Sequence, residues 1–490
     1  MAPTADAVSE ETLALLQKAQ TTGITAGTGV QSYDLTGVVS LIPVVTPFRD
    51  IVPRVKSTEG NKIAIWRAYL NVTSSQPSPT PGFDYAGNEI IVSEQDFQTP
   101  YANVAYAGFV TQDALDLATG LTDPYADATL QTLNNYLIGD DRVLLGGQAY
   151  ALAQPGTITK STATTGGSIA ASTTVYVGVA ARTGYNYYYG GNSQGRSTSQ
   201  ATGSGTSTNT VTASIAAVKG AVAYDWFQSA DGSTWYYYST TTTASVTMTS
   251  VISSNNALPS QTACPDLYTT VPTYLGSGDN GSANANNPNG LLASLTGDYS
   301  SAGVWETPGT GTTNPAVYTD GGGSALSLSG GSVTQIENMF AALWNQVKCS
   351  PTALMVNAAQ AQSIANLILG SSSSTTFLNT DSSGRVNVTA GGRVGNIVNT
   401  PAGGVTVPIE VHTSLPPGTI IARTDRVPFP SSNISSTLQV RCLRDTSQFD
   451  YGINRTSGTG GGPRKEFEIK SIEALVNHAP VSMGVLANVS

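Results

Sequence analysis

Two histidines, His412 and His478, are the whole imidazole complement of this 490-residue chain. Neither stands at metal-ligand spacing from a cysteine or from the other. Each reads as a structural group beside strand-like sequence. Spacing alone leaves a Ser-His-Asp set open, but no Gly-x-Ser-x-Gly elbow occurs in a strand–turn–helix setting. Paired carboxylates for glycan chemistry would have to come from Asp298, Glu306, Glu410 and Asp425, and no flanking motif supports a cleft that pairs them. The run Gly458–Gly462 before Pro463-Arg464-Lys465 lacks the spacing of a phosphate loop and leads into a strand rather than a helix. Gly321-Gly322-Gly323 reads likewise as a turn. Cys264, Cys349 and Cys442 are odd in number, far apart and in no CxxC spacing, so they read as free or buried thiols of a reducing compartment. Two tyrosine runs, Tyr185-Asn186-Tyr187-Tyr188-Tyr189 and Tyr236-Tyr237-Tyr238, offer rings for sugar stacking; the plainer reading is core or cross-strand pairs. The chemistry-bearing residues therefore point away from an enzyme, and they imply no cofactor and no metal.

Composition narrows the classes further. Hydrophobic residues make up 40% of the chain, enough for real cores, while charged residues are only 11% and glycines number 51. Such a mix favours turns and exposed strands. The length suggests roughly two to four domains. The net charge of −10 repels phosphate backbones and argues against sequence-specific duplex binding. No window approaches the ~18 apolar residues that span a bilayer. Met1–Gln20 has no basic start followed by an apolar run, so it does not read as a signal peptide.

Positioning elements follow from periodicity. Ser9-Glu10-Glu11-Thr12 caps one short N-terminal helix, and the prolines of Pro43 to Pro53 are expected to hold the chain extended. Lys62–Val72 alternates, with Ile63, Ile65, Arg67 and Tyr69 on one face and Ala64, Trp66, Ala68 and Leu70 on the other. The Pro-rich stretch Gln76–Gly82 turns the chain, and Glu89-Ile90-Ile91-Val92 returns it, giving a long hairpin. Asp123 and Pro124 open a helix whose stripe is Ala126, Leu130, Leu133 and Leu137, stopped at Gly146-Gly147. Residues 265–330 read as loops. Ser332 with Gln335 matches a capping box before Ile336, Met339, Phe340, Leu343, Trp344 and Val347. Ala353–Val356 reads as a buried strand, and Asn357 caps a helix lined by Ala361, Ile364, Ala365 and Ile368. Val405–Val411, Thr419–Ala422 and Leu438–Leu443 read as strands. Lys465–Asn477 reads as a last extended segment with Phe467, Ile469 and Ile472 on one side. The body is of the α+β class.

Within this body the composition breaks. From about residue 155 to 260 the chain is Thr-, Ser-, Gly-, Tyr- and Val-rich and nearly free of Lys, Asp and Glu. Val175, Val177 and Val179 alternate inward, Thr208–Ile215 alternates similarly, Asp231-Gly232 marks a hairpin, and Ser245–Val251 closes the module. This reads as an inserted all-β immunoglobulin-like or fibronectin-type sandwich with Trp226 in its core.

The order of these parts resembles the major capsid protein of tailed bacteriophages, the Hong Kong 97 fold. The stretches that carry the resemblance are Pro47-Phe48-Arg49-Asp50-Ile51-Val52-Pro53-Arg54-Val55, Asp140-Asp141-Arg142-Val143-Leu144-Leu145-Gly146-Gly147, Ser350-Pro351-Thr352-Ala353-Leu354-Met355-Val356-Asn357 and Leu415-Pro416-Pro417-Gly418. They cover roughly residues 30–150 and 265–490; the insert is the departure. The resemblance implies an N-terminal arm at 1–54, an extended hairpin loop at 55–97 and a peripheral domain with a spine helix at 98–150. It further implies the insert at 151–262, an axial domain at 263–430 and a return to the peripheral domain at 431–490.

It also implies a self-assembling icosahedral shell of hexamers and pentamers around double-stranded DNA. The expected partners are further copies of the chain, scaffold, portal and cement proteins, and packaged DNA held by weak non-specific contact, without a membrane. The expected location is the virion, with assembly in the host bacterial cytoplasm. Trp66, Tyr69, Ile91, Arg54 and Lys62 are the candidate contacts to a neighbouring subunit. Some relatives crosslink through a hairpin-loop lysine; here Lys56 and Lys62 sit near the loop's base, and no crosslink is expected. The competing reading is a surface or adhesive protein built around the β module, which would call for a secretion signal and tandem repeats.

Overall fold

The computed structural model describes residues 43–57, 60, 63–73, 91–118, 123–147, 152–189, 195–205, 207–254, 256, 290–296, 316–329, 331–369, 379–380, 386–387, 394–429, 433–455 and 462–490. The expected helix near Ser9 and the hairpin tip at Gln76–Gly82 lie outside them. The elements run α1 (Pro47–Ile51), β1 (Arg54–Lys56), β2 (Ile63–Thr73), β3 (Ile91–Pro100), β4 (Ala102–Thr111), α2 (Gln112–Leu117) and α3 (Pro124–Gly146). Next come β5 (Thr159–Ala163), β6 (Thr174–Arg182), α4 (Gly184–Tyr189), β7 (Gly195–Ala201), β8 (Thr210–Ser214), β9 (Ala223–Ser229), β10 (Tyr236–Thr241) and β11 (Ser245–Met248). Then follow α5 (Leu291–Thr296), β12 (Val317–Asp320), β13 (Leu328–Ser329), β14 (Ser332–Val333), α6 (Thr334–Val347), β15 (Ala353–Val356), α7 (Ala358–Leu369), β16 (Asn379–Thr380) and β17 (Val386–Asn387). The chain closes with β18 (Asn396–Asn399), β19 (Val405–Val411), β20 (Ile420–Arg423), β21 (Leu438–Arg455), β22 (Pro463–Asn477), a 3-10 turn at Pro480–Ser482 and β23 (Gly484–Ala487). The class is α+β. The chain divides into two compact units, one of residues 1–46, 103–140 and 443–472, the other of the remainder.

In the smaller unit, α3 begins where the sequence predicts. The Asp123 carboxylate accepts the N–H groups of Tyr125 and Ala126 at 3.0 and 3.2 Å, relieving two orphan donors of the first turn. Gly147 ends the helix in the left-handed region at φ 72°. The expected stripe is displaced: Leu130 is exposed, whereas Tyr136 is fully buried and donates to Ser471 Oγ at 2.7 Å. Phe467 and Ile469 of β22 are buried on one side as expected, but Ser471 rather than Ile472 continues that side. Gly108 of β4 sits so close that a Cβ there would lie 2.4 Å from Phe467 Cζ and 2.9 Å from Thr132 Oγ1.

The larger unit is built around a six-stranded mixed sheet in the order β12-β23-β20-β15-β19-β18. Alternation along its strands feeds two cores. Leu354, Val356, Ile420, Ala422 and Leu486 pack with Ile336, Met339, Phe340 and Leu343 of α6 and Ile364 of α7. Met355, Ile421, Val485 and Ala487, from the opposite parity, pack with Phe48, Val52, Leu144, Leu145 and the α5 leucines Leu291, Leu292 and Leu295. Helix α5 replaces part of the loop expected at 265–330, because its three leucines recur at helical spacing and all six of its residues are buried. Asn357 caps α7 as expected, its Oδ1 accepting Ala359 N–H at 3.0 Å. The capping box at Ser332 is not formed. Ser332 pairs with Ser329 in a short ribbon, α6 starts at Thr334, and Gln335 Oε1 accepts Ser327 N–H at 3.0 Å instead.

The stretch Pro47–Ile51 is helical, not extended. Pro47 suits a first helical position, and the next two N–H groups are taken by a distant carboxylate described below. Two expected strands are longer than read: β3 continues through Phe97 to Pro100, and β21 runs for 18 residues.

The insert has its own core and two sheets, β10-β9-β6-β7 and β11-β8-β5. Val175, Val177, Val179, Val211, Ala213, Val246 and Met248 surround Trp226, which is fully buried. The architecture is a β-sandwich. Its first, fourth and seventh strands form one sheet and its second, third, fifth and sixth the other. The hairpin at Asp231-Gly232 is present, joining β9 and β10 through a loop in which Asp231 Oδ1 accepts Ser233 and Thr234 N–H groups at 2.9 and 2.8 Å.

Candidate interaction surfaces

Strands β2 and β3 pair antiparallel from Ile63↔Pro100 to Thr73↔Ile91 and form a two-stranded sheet of their own. Their root is seated on the body. Trp66 opposes Phe97 across the ribbon, ring centres 6.0 Å apart and interplanar angle 26°, and its ring lies nearly perpendicular to that of His478, centres 5.8 Å apart. Ala64, Trp66, Phe97 and Thr99 are buried. The Arg441 guanidinium donates to the Ile65 carbonyl at 3.1 Å. The opposite face is exposed: Ile65 is 42% accessible, and Arg67 holds Asp96 in a bidentate pair at 2.6 and 3.2 Å and reaches Glu94 at 3.4 Å. The Arg67 hydrogen bonds hold the Asp96 carboxyl below its ordinary range.

The five candidate contacts separate accordingly. Trp66 is 7% exposed and serves as an anchor inside its own chain rather than as free surface. Arg54, in β1, pairs with the buried Glu473 of β22. Tyr69 and Ile91 take their places in the ribbon opposite Glu94 and Thr73, and their side chains lie outside the described residues. Lys62 lies outside them as well. Lys56 is exposed on β1.

Asp141 is a functional-looking residue that sequence reasoning passed over. Its Oδ1 accepts the N–H groups of Phe48 and Arg49 at 3.0 and 2.9 Å, and its Oδ2 accepts the Ser414 hydroxyl at 2.5 Å. One carboxylate thus joins the entry segment, the end of α3 and the loop after β19. Burial pushes its pKa up against the lowering effect of these donors. The only sequence signal was the acidic pair Asp140-Asp141 just before the apolar helix end Val143-Leu144-Leu145.

The other candidate groups are structural. Glu410 and Asp425 share one buried arginine: Arg423 meets Glu410 at 3.0 Å and Asp425 at 2.6 Å. His412 is buried with Nε2 at 3.5 Å from Glu410. The His412 hydrogen bond, with Arg423 behind it, lowers the Glu410 pKa, the reverse of what a general acid needs. Asp298 and Glu306 lie outside the described residues. Cys349 and Cys442 are buried free thiols, and burial pushes Cys349 up to about 11; Cys264 lies outside. Among the described residues no cluster of His, Cys, Asp and Glu is able to hold a metal ion, and no described helix is long and apolar enough to cross a membrane. Gly321-Gly322-Gly323 forms a turn in which Asp320 Oδ1 accepts Gly322 N–H at 2.8 Å. The first tyrosine run is the short helix α4, not a strand face: Tyr187 packs on the body core, and Arg142 lies over Tyr188 at 4.5 Å. In the second, Tyr237 is buried against Phe227.

The sandwich is fastened to the body at its closing end. Ala244 N–H donates to Asn488 Oδ1 at 2.7 Å, while Asn488 Nδ2 donates to Asp320 at 2.7 Å. Asn488 holds a φ of 59°, a region asparagine tolerates better than most residues. Val222 and Ala223, at the start of β9, are buried in the body core.

No family model matches the sequence, and no curated protein matches it. Solved structures similar to it include the capsid of an empty GTA particle, at 8% identity and TM-score 0.42, covering 96% of this chain and 100% of that one. The capsid asymmetric unit of cyanophage A-1(L) is similar at 9% identity and TM-score 0.45, covering 92% and 95%. The capsid of the Myoviridae phage XM1 is similar at 9% identity and TM-score 0.40, also covering 92% and 95%.

Proposed function

We propose that this chain is a major capsid subunit of a tailed bacteriophage, of the Hong Kong 97 type, whose role is structural assembly rather than catalysis. Copies form hexamers and pentamers of an icosahedral shell around double-stranded DNA. The observation that carries the reading is the β2–β3 ribbon. Eleven residues at ~3.3 Å each extend it about 35 Å, and a lone two-stranded ribbon is marginally stable in water. Its described anchorage is the root around Trp66 and Phe97. A neighbouring subunit is the natural second face for the rest, through Ile65, Tyr69, Ile91 and Lys62. Many small contacts of this kind add up across a shell.

The remaining elements fit that role. The entry segment is clamped to α3 by Asp141, and β1 pairs in parallel with the start of β21 in the C-terminal return. A chain of net charge −10 would touch packaged DNA weakly and without sequence preference. Scaffold, portal and cement proteins are the further partners, the virion is the location, and the host bacterial cytoplasm is the place of assembly.

Deletion of residues 71–87 tests the reading. The expected product keeps a cooperative thermal transition by circular dichroism and sediments as a small species. Particles of normal size from that deletion would contradict the assigned role of the ribbon.

A further inference from the structure

The root of the ribbon carries an imidazole that the assembly role does not use. His478 follows directly on β22, where its N–H donates to the Thr437 carbonyl at 2.8 Å. Its Nε2 lies 3.3 Å from Gln439 Oε1, and its buried Nδ1 has no hydrogen-bond partner among the described residues. The ring meets Trp66 at 5.8 Å with planes 82° apart. Arg441, two residues beyond Gln439 in β21, binds the ribbon backbone at Ile65.

We propose that His478 is a proton-operated latch for the ribbon: neutral, it seats Trp66 against the body, and protonated, it loosens the root of β2 and β3. This inference does not rest on the assembly reading. An imidazolium needs acceptors on both nitrogens, and here one nitrogen is buried without any. A second cation beside Arg441 adds repulsion. The charged groups around the ring are of one sign where they matter. Strand β21 presents Arg441 and the neutral Gln439. The ribbon presents the Trp66 indole, while Arg67, Glu94 and Asp96 pair with one another on its opposite face. The nearest acid on the strand leading to His478, Glu473, is paired with Arg54. Of the elements that meet at the root, the ribbon is the one that belongs to no larger sheet, β2 and β3 pairing only with each other.

Burial, with Arg441 second, holds His478 at about 4 against an ordinary 6.5. A depressed histidine favours the neutral, seated form. The seating is therefore full above about pH 6.5, weakens as pH falls through the ordinary value, and reaches its floor below about 4. At pH 5 the root is expected to open about tenfold or more readily than at pH 7.

The test is hydrogen exchange on the full chain at pH 7 and 5, corrected for intrinsic rates and read by mass spectrometry. Peptides over 63–73 and 91–100 are expected to lose about tenfold protection at pH 5 while those over Ala353–Val356 do not, and His478→Gln is expected to abolish the difference. Equal ribbon protection at both pH values, or the same loss in His478→Gln, would overturn the proposal. If that variant folds poorly, the wild type decides: with only two histidines in the chain, an imidazole NMR titration in which the ring in contact with Trp66 titrates above pH 6 overturns it, and that ring titrating below about 5 together with the loss of ribbon protection supports it.

Discussion

The carboxylate of Asp141 accepts the backbone N–H of Phe48 at 3.0 Å across 93 positions of chain. The bond converts a proline-flanked stretch into helix α1 and places Phe48 in the core with Leu144 and Leu145. Burial raises the Asp141 pKa. Its ionised form is thus the costly one, and its contribution to stability is greatest at low pH and declines as pH rises through the raised value. Asn keeps the acceptor oxygen and removes the charge. Asp141→Asn is expected to unfold in urea within about 1 kcal/mol of the parent at pH 7, whereas Asp141→Ala, which strands two N–H groups, loses about 1–3 kcal/mol. Equal losses in both would show that the carboxylate's charge, not its acceptor, is what matters.

The sandwich is expected to fold alone yet to depend on the body for part of its stability. Its core around Trp226 is complete, but Val222 and Ala223 belong to the other core, and Ala244 N–H is satisfied by Asn488. Asn488→Ala should cost about 1–3 kcal/mol by leaving the buried Ala244 N–H unpaired. A fragment of residues 152–256 should melt cooperatively but below the intact chain. A fragment as stable as the whole would mean that the docking contributes nothing.

Gly108 is set by close approach. A methyl group there would have to displace the Phe467 ring, with Thr132 behind it. Gly108→Ala is expected to destabilise by about 1–3 kcal/mol through overpacking, measured as a lower thermal midpoint. Gly60, where a Cβ meets nothing within 4 Å among the described residues, serves as the control, and equal midpoints for the two alanine variants would refute the packing argument.

The thiols and lysines are expected to leave the chain uncrosslinked. Cys349 and Cys442 are buried, and Cys349 is held protonated at about 11, so both should resist thiol reagents at pH 8 until the chain unfolds. On a denaturing gel of boiled material a single monomer band is expected. A ladder that survives reductant would implicate a lysine bond, with Lys62→Arg as the diagnostic variant, and a ladder removed by reductant would implicate the cysteines.

The parts legible in the sequence are those whose signal is local. Ile336, Met339, Phe340 and Leu343 recur at helical spacing and bury one face of α6; the Val175–Val177–Val179 alternation lines the sandwich; Asp123 caps α3. What was missed depends on distant partners. Helix α1 exists because Asp141 supplies its first acceptor, and the polar strand β7, Gly195–Ala201, holds its place through backbone pairing with β6. Gln335 leaves its expected cap for Ser327. At the candidate surface the hairpin and its alternation were legible. That Trp66 faces inward to His478 and Arg54 to Glu473 was not, because those partners lie some four hundred positions away.

The central claim is that the chain builds a shell. Negative-stain electron microscopy of the purified chain, expressed alone, tests it most directly. Closed particles of uniform diameter, or rings of five and six subunits, are the expected result. A monodisperse monomer that forms neither at any concentration reached, alone or with added scaffold, would contradict it.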